Sequence, residues 1–209
     1  MTRTFIAIAL PGHVKEALGR QIAALEEALR RRFTVQEKKL PRSVRWAAVE
    51  GLHLTLAFLG ELDDDRLADA EQAAVVAARE GAPFALRLTH LGSFGPAHSP
   101  RVIWAGVSGN PDALSALGNL QVRLTSELEM RGFPPEERPF APHLTLARVN
   151  EPLPPETARE LPALLAAAAS ERADFTVREI CVMKSERLRT GARYTCLRAC
   201  ALEAETEGI

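Results

Sequence analysis

Apolar residues recur along the chain with two alternating periods, and the alternation divides it into strands and helices. Phe5 to Leu10 is a short apolar run closed by Pro11-Gly12, a strand and its turn. Val14, Leu18, Ile22, Leu25, Leu29 and Phe33 then fall on one face at three- and four-residue steps, which predicts an amphipathic helix. Val44 to Val49 predicts a further short strand, with Trp46 in the core. Another runs from His53 through Ala57, Phe58 and Leu59 to Gly60. Asp63-Asp64-Asp65 opens a helix to Arg79 whose buried stripe is mostly alanine, and capping explains the acidic triplet better than a metal site. Phe84 to Leu91 alternates as a strand does, and Gly92 to Pro100 is a predicted loop. His90 and His98 flank it without any partner pattern, as structural or solvent-exposed residues. Arg101 to Val107 is a strand. Asn110-Pro111 caps a helix whose face is Leu114, Leu117, Gln121, Leu124 and Leu128, and Gly132 stops it. A proline-rich loop, Phe133 to Pro142, leads to another strand at His143. Glu156 to Arg172 predicts a helix kinked at Pro162. Phe175 to Met183 and Ala192 to Leu202 predict a closing hairpin with Lys184, Arg187 and Arg189 at its tip.

Two of these strands carry the same phrase, His53-Leu54-Thr55-Leu56 and His143-Leu144-Thr145-Leu146. Successive side chains on a strand face opposite ways, so the leucines enter a core while an imidazole and a hydroxyl share the open face. One such phrase is an ordinary half-buried strand; two copies with the same spacing and the same leucines point to a shared site. The elements before each copy also match: strand, proline-containing turn, helix and loop occur in residues 5–60 and again in 101–149. Two similar lobes related by a pseudo-two-fold axis are expected, within a single domain spanning 1–209, with the paired motifs meeting between them.

Composition narrows the chemistry. The chain has 209 residues, ample for a substantial core, and a formal net charge of −1. Nucleic-acid contact must therefore come from a local basic patch rather than a broad electrostatic footprint. Arg30, Arg31 and Arg32 suit a helix C-terminus better than an RNA-facing patch shared with Lys38, Lys39, Arg42 and Arg45. Cys181, Cys196 and Cys200 are odd in number, lack Cys-x-x-Cys spacing and sit in apolar runs. Reduced, buried thiols in a cytoplasmic protein are expected. The N-terminus has no signal-peptide layout, and no stretch approaches membrane-spanning length, so no membrane partner is expected.

Two imidazoles suit a reaction that removes one proton and delivers another, because histidine titrates near neutrality. Threonine hydroxyls beside them can donate to non-bridging phosphate oxygens. Phosphodiester or cyclic phosphate chemistry fits this set. No Gly-x-Ser-x-Gly elbow, Walker loop or dinucleotide fingerprint occurs. A metal site would need a third ligand, and neither His-x-x-x-His nor His-x-x-Glu-His spacing supplies one.

The chain resembles the 2H phosphoesterase superfamily, and within it the RNA 2′,3′-cyclic phosphodiesterases, also called 2′-5′ RNA ligases. The resemblance runs from near residue 3 to about residue 201. Besides the paired motifs it rests on Arg3-Thr4-Phe5-Ile6-Ala7-Ile8, Val44-Arg45-Trp46, Gly60-Glu61, Arg101-Val102-Ile103-Trp104, Arg138-Pro139-Phe140-Ala141-Pro142, Ala147-Arg148 and Gly191-Ala192-Arg193-Tyr194. A longer loop at Val35 to Leu40 and an extended Pro/Ala-rich helix near 152–172 depart from the family pattern without touching the motifs. The resemblance implies an α+β fold of two pseudo-symmetric lobes, antiparallel sheets lining a central cleft with helices outside. It also implies hydrolysis of RNA 2′,3′-cyclic phosphate ends to 2′-phosphomonoesters, reversible 2′-5′ joining as a related activity, and no cofactor or metal. The partners implied are RNA ends or small nucleotides with such a phosphate, and no obligatory protein partner is evident. By the same resemblance His53 is the proton donor, His143 the proton acceptor, and Thr55 and Thr145 hold the phosphate. Arg148 is a candidate phosphate contact, with a structural salt bridge as the alternative. Arg138, Phe58 and Phe140 are further substrate-binding candidates, although simple alternation puts Phe58 with the leucines in the core. A nucleotide- or RNA-binding module without turnover, and a related phosphodiesterase for a small cyclic phosphate, are the rival readings.

Overall fold

In the computed structural model, which describes residues 1–33, 44–168, 171–188 and 191–203, each lobe is built around one central strand. In the first lobe β1 (Thr2–Ala9) pairs antiparallel with β3 (His53–Leu62) on one side and with β8 (Glu179–Leu188) on the other. Strand β9 (Gly191–Ala201) closes the edge against β8. The second lobe repeats the plan around β5 (Val102–Ser108), with β6 (His143–Val149) on one side and β4 (Phe84–Phe94) on the other, and β7 (Asp174–Val177) outside β4. The lobes meet where Leu54 pairs with Leu144, so the expected pair of sheets is one curled antiparallel sheet ordered β7-β4-β5-β6-β3-β1-β8-β9. A short β2 (Val44–Trp46) lies along the second half of β6.

The described residues form four α-helices: α1 (Gly12–Phe33), α2 (Asp64–Arg79), α3 (Pro111–Met130) and α4 (Pro155–Ala167). Helix α2 packs on β8 and β9 through Ala70, Ala73, Ala74, Ala77 and Ala78, side chains small enough to let the helix backbone approach the sheet closely. Asp63 caps it by accepting from the Arg66 amide, and Asn110 caps α3 by accepting from the Ala113 amide. Gly132, at φ 75°, ends α3 in the left-handed conformation that glycine adopts without Cβ strain. Leu54, Leu144, Ile6 and Ile103 are fully buried on the helix-covered face, leaving the other face for polar residues.

The structure corrects several expectations. The predicted closing hairpin is three strands: the chain breaks at Arg178, and β7 joins one lobe while β8 joins the other. Uniform alternation hid the change of partner. Lys184 and Arg187 lie within β8 rather than at a tip. Strand β4 runs on through Gly92 to Phe94, into the predicted loop. Helix α4 continues through Pro162 but ends at Ala167. Cys181 and Cys200 are buried as expected, whereas Cys196 is exposed near the outer edge of the sheet. Arg30 and Arg31 pair with Glu26 and Glu27 one turn earlier, the surface ion pairs of a solvated helix face. The 35–40 loop, Lys38, Lys39, Arg42 and Arg189 lie outside the described residues, as does the Arg32 side chain. Among the described residues no helix is long and apolar enough to cross a membrane.

Candidate active site

The two His-Leu-Thr-Leu strands run antiparallel through the Leu54–Leu144 pair. That register sets His53 across from Thr145 and Thr55 across from His143 on the opposite face. All four polar side chains are half-buried, and neither threonine hydroxyl has a protein partner among the described residues. The sequence repeat is therefore a spatial one, with two imidazoles and two free hydroxyls around a common point.

Each imidazole is oriented by the same device. The Nδ1 of His53 lies 2.7 Å from the Gly51 carbonyl, and that of His143 lies 2.7 Å from the Ala141 carbonyl. A carbonyl only accepts, so Nδ1 carries the proton in both rings and Nε2 is left for the cleft. Nε2 then serves as a base when the ring is neutral and as an acid when it is charged.

The surroundings of the two rings differ. His53 is walled by Phe5, with ring centroids 4.6 Å apart, and by Tyr194, edge-on at 5.0 Å. Tyr194 presses on Gly51 so closely that a Cβ there would lie 2.9 Å from its Cδ2. Lys15, near the start of α1, donates to the Glu50 carbonyl at 2.9 Å, next to the carbonyl that holds His53. Burial pushes the His53 imidazolium below its usual range; the Gly51 carbonyl opposes that, and the positive charges of Lys15, Arg148 and His143 add to it. His143 stands in a more open setting, with the Phe94 ring perpendicular to it at 4.8 Å.

A shared irregularity brings two further residues into the site. In the first motif Ala7 pairs with Thr55 and Ile6 with Ala57, so Leu56 is a bulge; in the second Trp104 pairs with Thr145 and Ile103 with Ala147, so Leu146 is one too. Two residues in succession then turn to the core, and the next emerges on the open face. Phe58 and Arg148 are those next residues. Phe58 is 62% exposed, across from Phe5 and 6.1 Å from its ring, and is not among the leucines where alternation put it. It forms the mouth of a groove of about 320 Å³ between β3 and the Phe133–Arg138 loop. Arg148 lies beside Arg45 of β2, and neither guanidinium has an ion pair among the described residues. Among the described residues the salt-bridge alternative for Arg148 finds no partner.

The weaker candidates separate. Arg138 is 89% exposed and faces Glu136 at 3.7 Å on the rim of the Phe58 groove. Phe140 and Trp46 are partly buried and pack against the core. Sequence reasoning missed Phe5, Lys15, Arg45, Phe94, Trp104 and Tyr194 as site residues. Phe5, Trp104 and Tyr194 were legible as members of family-like phrases, and Arg45 as a member of one such phrase and of a basic cluster. Among the described residues no three His, Cys, Asp or Glu side chains gather to hold a metal.

Comparison with known proteins agrees with this geometry. Residues 14–189 match the model of the 2′-5′ RNA ligase superfamily. A Geobacillus stearothermophilus protein named RNA 2′,3′-cyclic phosphodiesterase is 35% identical over 162 residues, 76% of this chain; the match spans 46% of that longer protein, about half its length. A Methanothermobacter thermautotrophicus protein of the same name is 30% identical over 193 residues, covering 92% of this chain and 95% of the relative. The crystal structure of E. coli LigT complexed with 3′-AMP superposes with a TM-score of 0.68 at 28% identity, over 97% of this chain and 99% of LigT. The paired motifs, their shared bulge and these matches agree: the chain belongs to the 2′-5′ RNA ligase superfamily of 2H phosphoesterases.

Proposed function

We propose that this protein hydrolyses the 2′,3′-cyclic phosphate at an RNA end to a 2′-phosphomonoester, using two histidines and no metal. The observation that carries the reading is the paired set of His and Thr about the Leu54–Leu144 contact, each imidazole held through Nδ1 with Nε2 free. The family match and the relatives' names support cyclic phosphodiesterase activity. His143 takes a proton from water as it attacks phosphorus, and His53 gives one to the departing ribose O3′. Thr55 and Thr145 donate to the non-bridging oxygens, and Arg148 and Arg45 offset their charge as it builds in the transition state.

The setting of His53 adds a condition. Burial disfavours its charged form in the empty site, and a donor must be charged. An anionic phosphate between the rings stabilises the imidazolium, so binding and protonation are coupled. Only a substrate carrying the phosphate arms the acid.

The direct test is product analysis on an oligonucleotide with a 2′,3′-cyclic end, with chelator present. A 2′-phosphate product is expected. Tight binding without turnover would establish the binding-module reading instead, and a 3′-phosphate product would assign the leaving oxygen wrongly.

A further inference from the structure

The two His-Leu-Thr-Leu motifs are alike, yet the carbonyls that hold their imidazoles are fixed in different ways. Ala141 is followed by Pro142, and a residue before proline is confined to extended backbone, so the chain itself holds the carbonyl that faces His143. Gly51 has no such restraint. Its carbonyl is the last of a short 3₁₀ turn, Val49–Gly51, at a residue whose backbone rotates freely. The turn is held from outside. Helix α1 packs against it, and Gly19 lets Val49 seat so closely that a Cβ there would lie 3.2 Å from the Val49 Cγ2. One turn nearer the start of α1, the Lys15 ammonium donates to the Glu50 carbonyl at 2.9 Å. That bond fixes the peptide just ahead of the one whose carbonyl meets His53 at 2.7 Å. Among the described residues no lysine or arginine does the same at Phe140 or Ala141.

Lys15 contributes little to the helix that carries it. It is the fourth residue of α1, inside the first turn, where the helix dipole disfavours a cation. No carboxylate pairs with it among the described residues, so its charge stands unneutralised. Burial is the main reason the His53 imidazolium lies below its usual range, and the Gly51 carbonyl opposes it. Among the neighbouring charges Lys15 comes ahead of Arg148 and His143. Phe5 and the edge of Tyr194 complete the surroundings of the ring.

We propose that Lys15 is a positioning residue for the proton donor: it locks the Glu50–Gly51 peptide, and with it the Gly51 carbonyl that orients His53, and it sets a positive charge behind that ring. The assignment rests on the role proposed above for His53. Lys15 thereby breaks the symmetry of the doubled motif. A nearby cation makes an imidazolium readier to release its proton, which suits the ring that must give one up.

Kinetics on a 2′,3′-cyclic nucleotide, and an NMR titration of the histidine rings in the substrate-free protein, test this with Lys15→Met, Lys15→Gln and Lys15→Arg. Displacing a catalytic ring by up to about one ångström costs about 10- to 100-fold. Lys15→Met should lose kcat by such a factor with KM nearly level, and its His53 ring should titrate at higher pH than in wild type. Lys15→Gln keeps a donor without the charge, so it should share the titration shift and retain more of the rate. Lys15→Arg keeps both, and should restore both. A rise in KM at level kcat would overturn the proposal and make Lys15 a phosphate contact. A lower Tm with unchanged kcat and titration would overturn it too, leaving a lysine that serves only stability. The titration needs no turnover, so it separates the two readings. A wild type inactive on cyclic phosphates removes the proposed function, whereas a His53 ring that titrates alike in all four proteins removes the role of Lys15.

Discussion

Replacing Gly51 by alanine tests how the site holds its proton donor. The added methyl would lie 2.9 Å from Tyr194 Cδ2 and 3.0 Å from Cε2, closer than carbon atoms pack. The ring has little room to retreat, because Phe5 meets it at 5.3 Å and His53 at 5.0 Å. Relief must come from the backbone at Gly51, whose carbonyl orients His53. Overpacking of this kind costs about 1–3 kcal/mol, which in a chain of this length lowers Tm by roughly 2–12 °C. Displacing a catalytic ring by a fraction of an ångström to one ångström costs about 10- to 100-fold in kcat. Steady-state kinetics on a 2′,3′-cyclic nucleotide, with a melting curve for each variant, reads both effects. In a Tyr194→Ala background the methyl has space, so the extra cost of Gly51→Ala should shrink, a coupling of about 0.5–3 kcal/mol. Ala141, the matching position before His143, already carries a Cβ, so Ala141→Gly should change the rate little. Wild-type rate and Tm in Gly51→Ala, or strict additivity in the double variant, would refute the reasoning.

Three other outcomes follow from the same geometry. Thr55→Val and Thr145→Val should each weaken transition-state binding by about 1–3 kcal/mol, read as kcat/KM, since a hydroxyl donor to the phosphate is lost. Arg45→Gln and Arg148→Gln should raise KM while leaving Tm level or slightly higher, because like charges across strands oppose folding by about 0.2–1 kcal/mol; a fall in Tm with unchanged KM would make the pair structural. His53 is held below its unfolded value of about 6.5, so the unfolded chain binds more protons in that window and stability rises with pH. The contribution is complete above that value and shrinks as pH falls below it. His53→Gln should flatten the Tm profile between about pH 5 and 7, and an unchanged slope would place the titration elsewhere.

The sequence carried the helices and the chemistry further than it carried the sheet. Caps such as Asp63 and Asn110, the alanine stripe of α2 and the stop at Gly132 are local effects, fixed within a few residues, and all were legible. The doubled His-Leu-Thr-Leu phrase was legible because strand alternation makes His and Thr share a face whatever the partner strand is. The bulges at Leu56 and Leu146 were not, because a bulge is a property of two strands and appears only in their register. That one missing element put Phe58 in the core and left Arg148 between two readings. Tyr194 reaches His53 only because β9 lies two strands from β1, and Arg45 meets Arg148 only because β2 lies on β6. Pairings between residues about a hundred or more positions apart leave no local pattern to read.

The central claim is that two imidazoles carry the proton transfers without a metal, and the pH dependence of kcat/KM with and without chelator tests it most directly. Hydrolysis of a 2′,3′-cyclic nucleotide should pass through a maximum and fall on both sides, with apparent values that belong to the coupled pair. Bound phosphate stabilises the His53 imidazolium, so the alkaline limb of kcat should lie at higher pH than that of kcat/KM, and chelator should leave both profiles unchanged. Activity that rises with pH to a plateau and disappears with chelator would contradict the account and turn His53 and His143 into metal ligands.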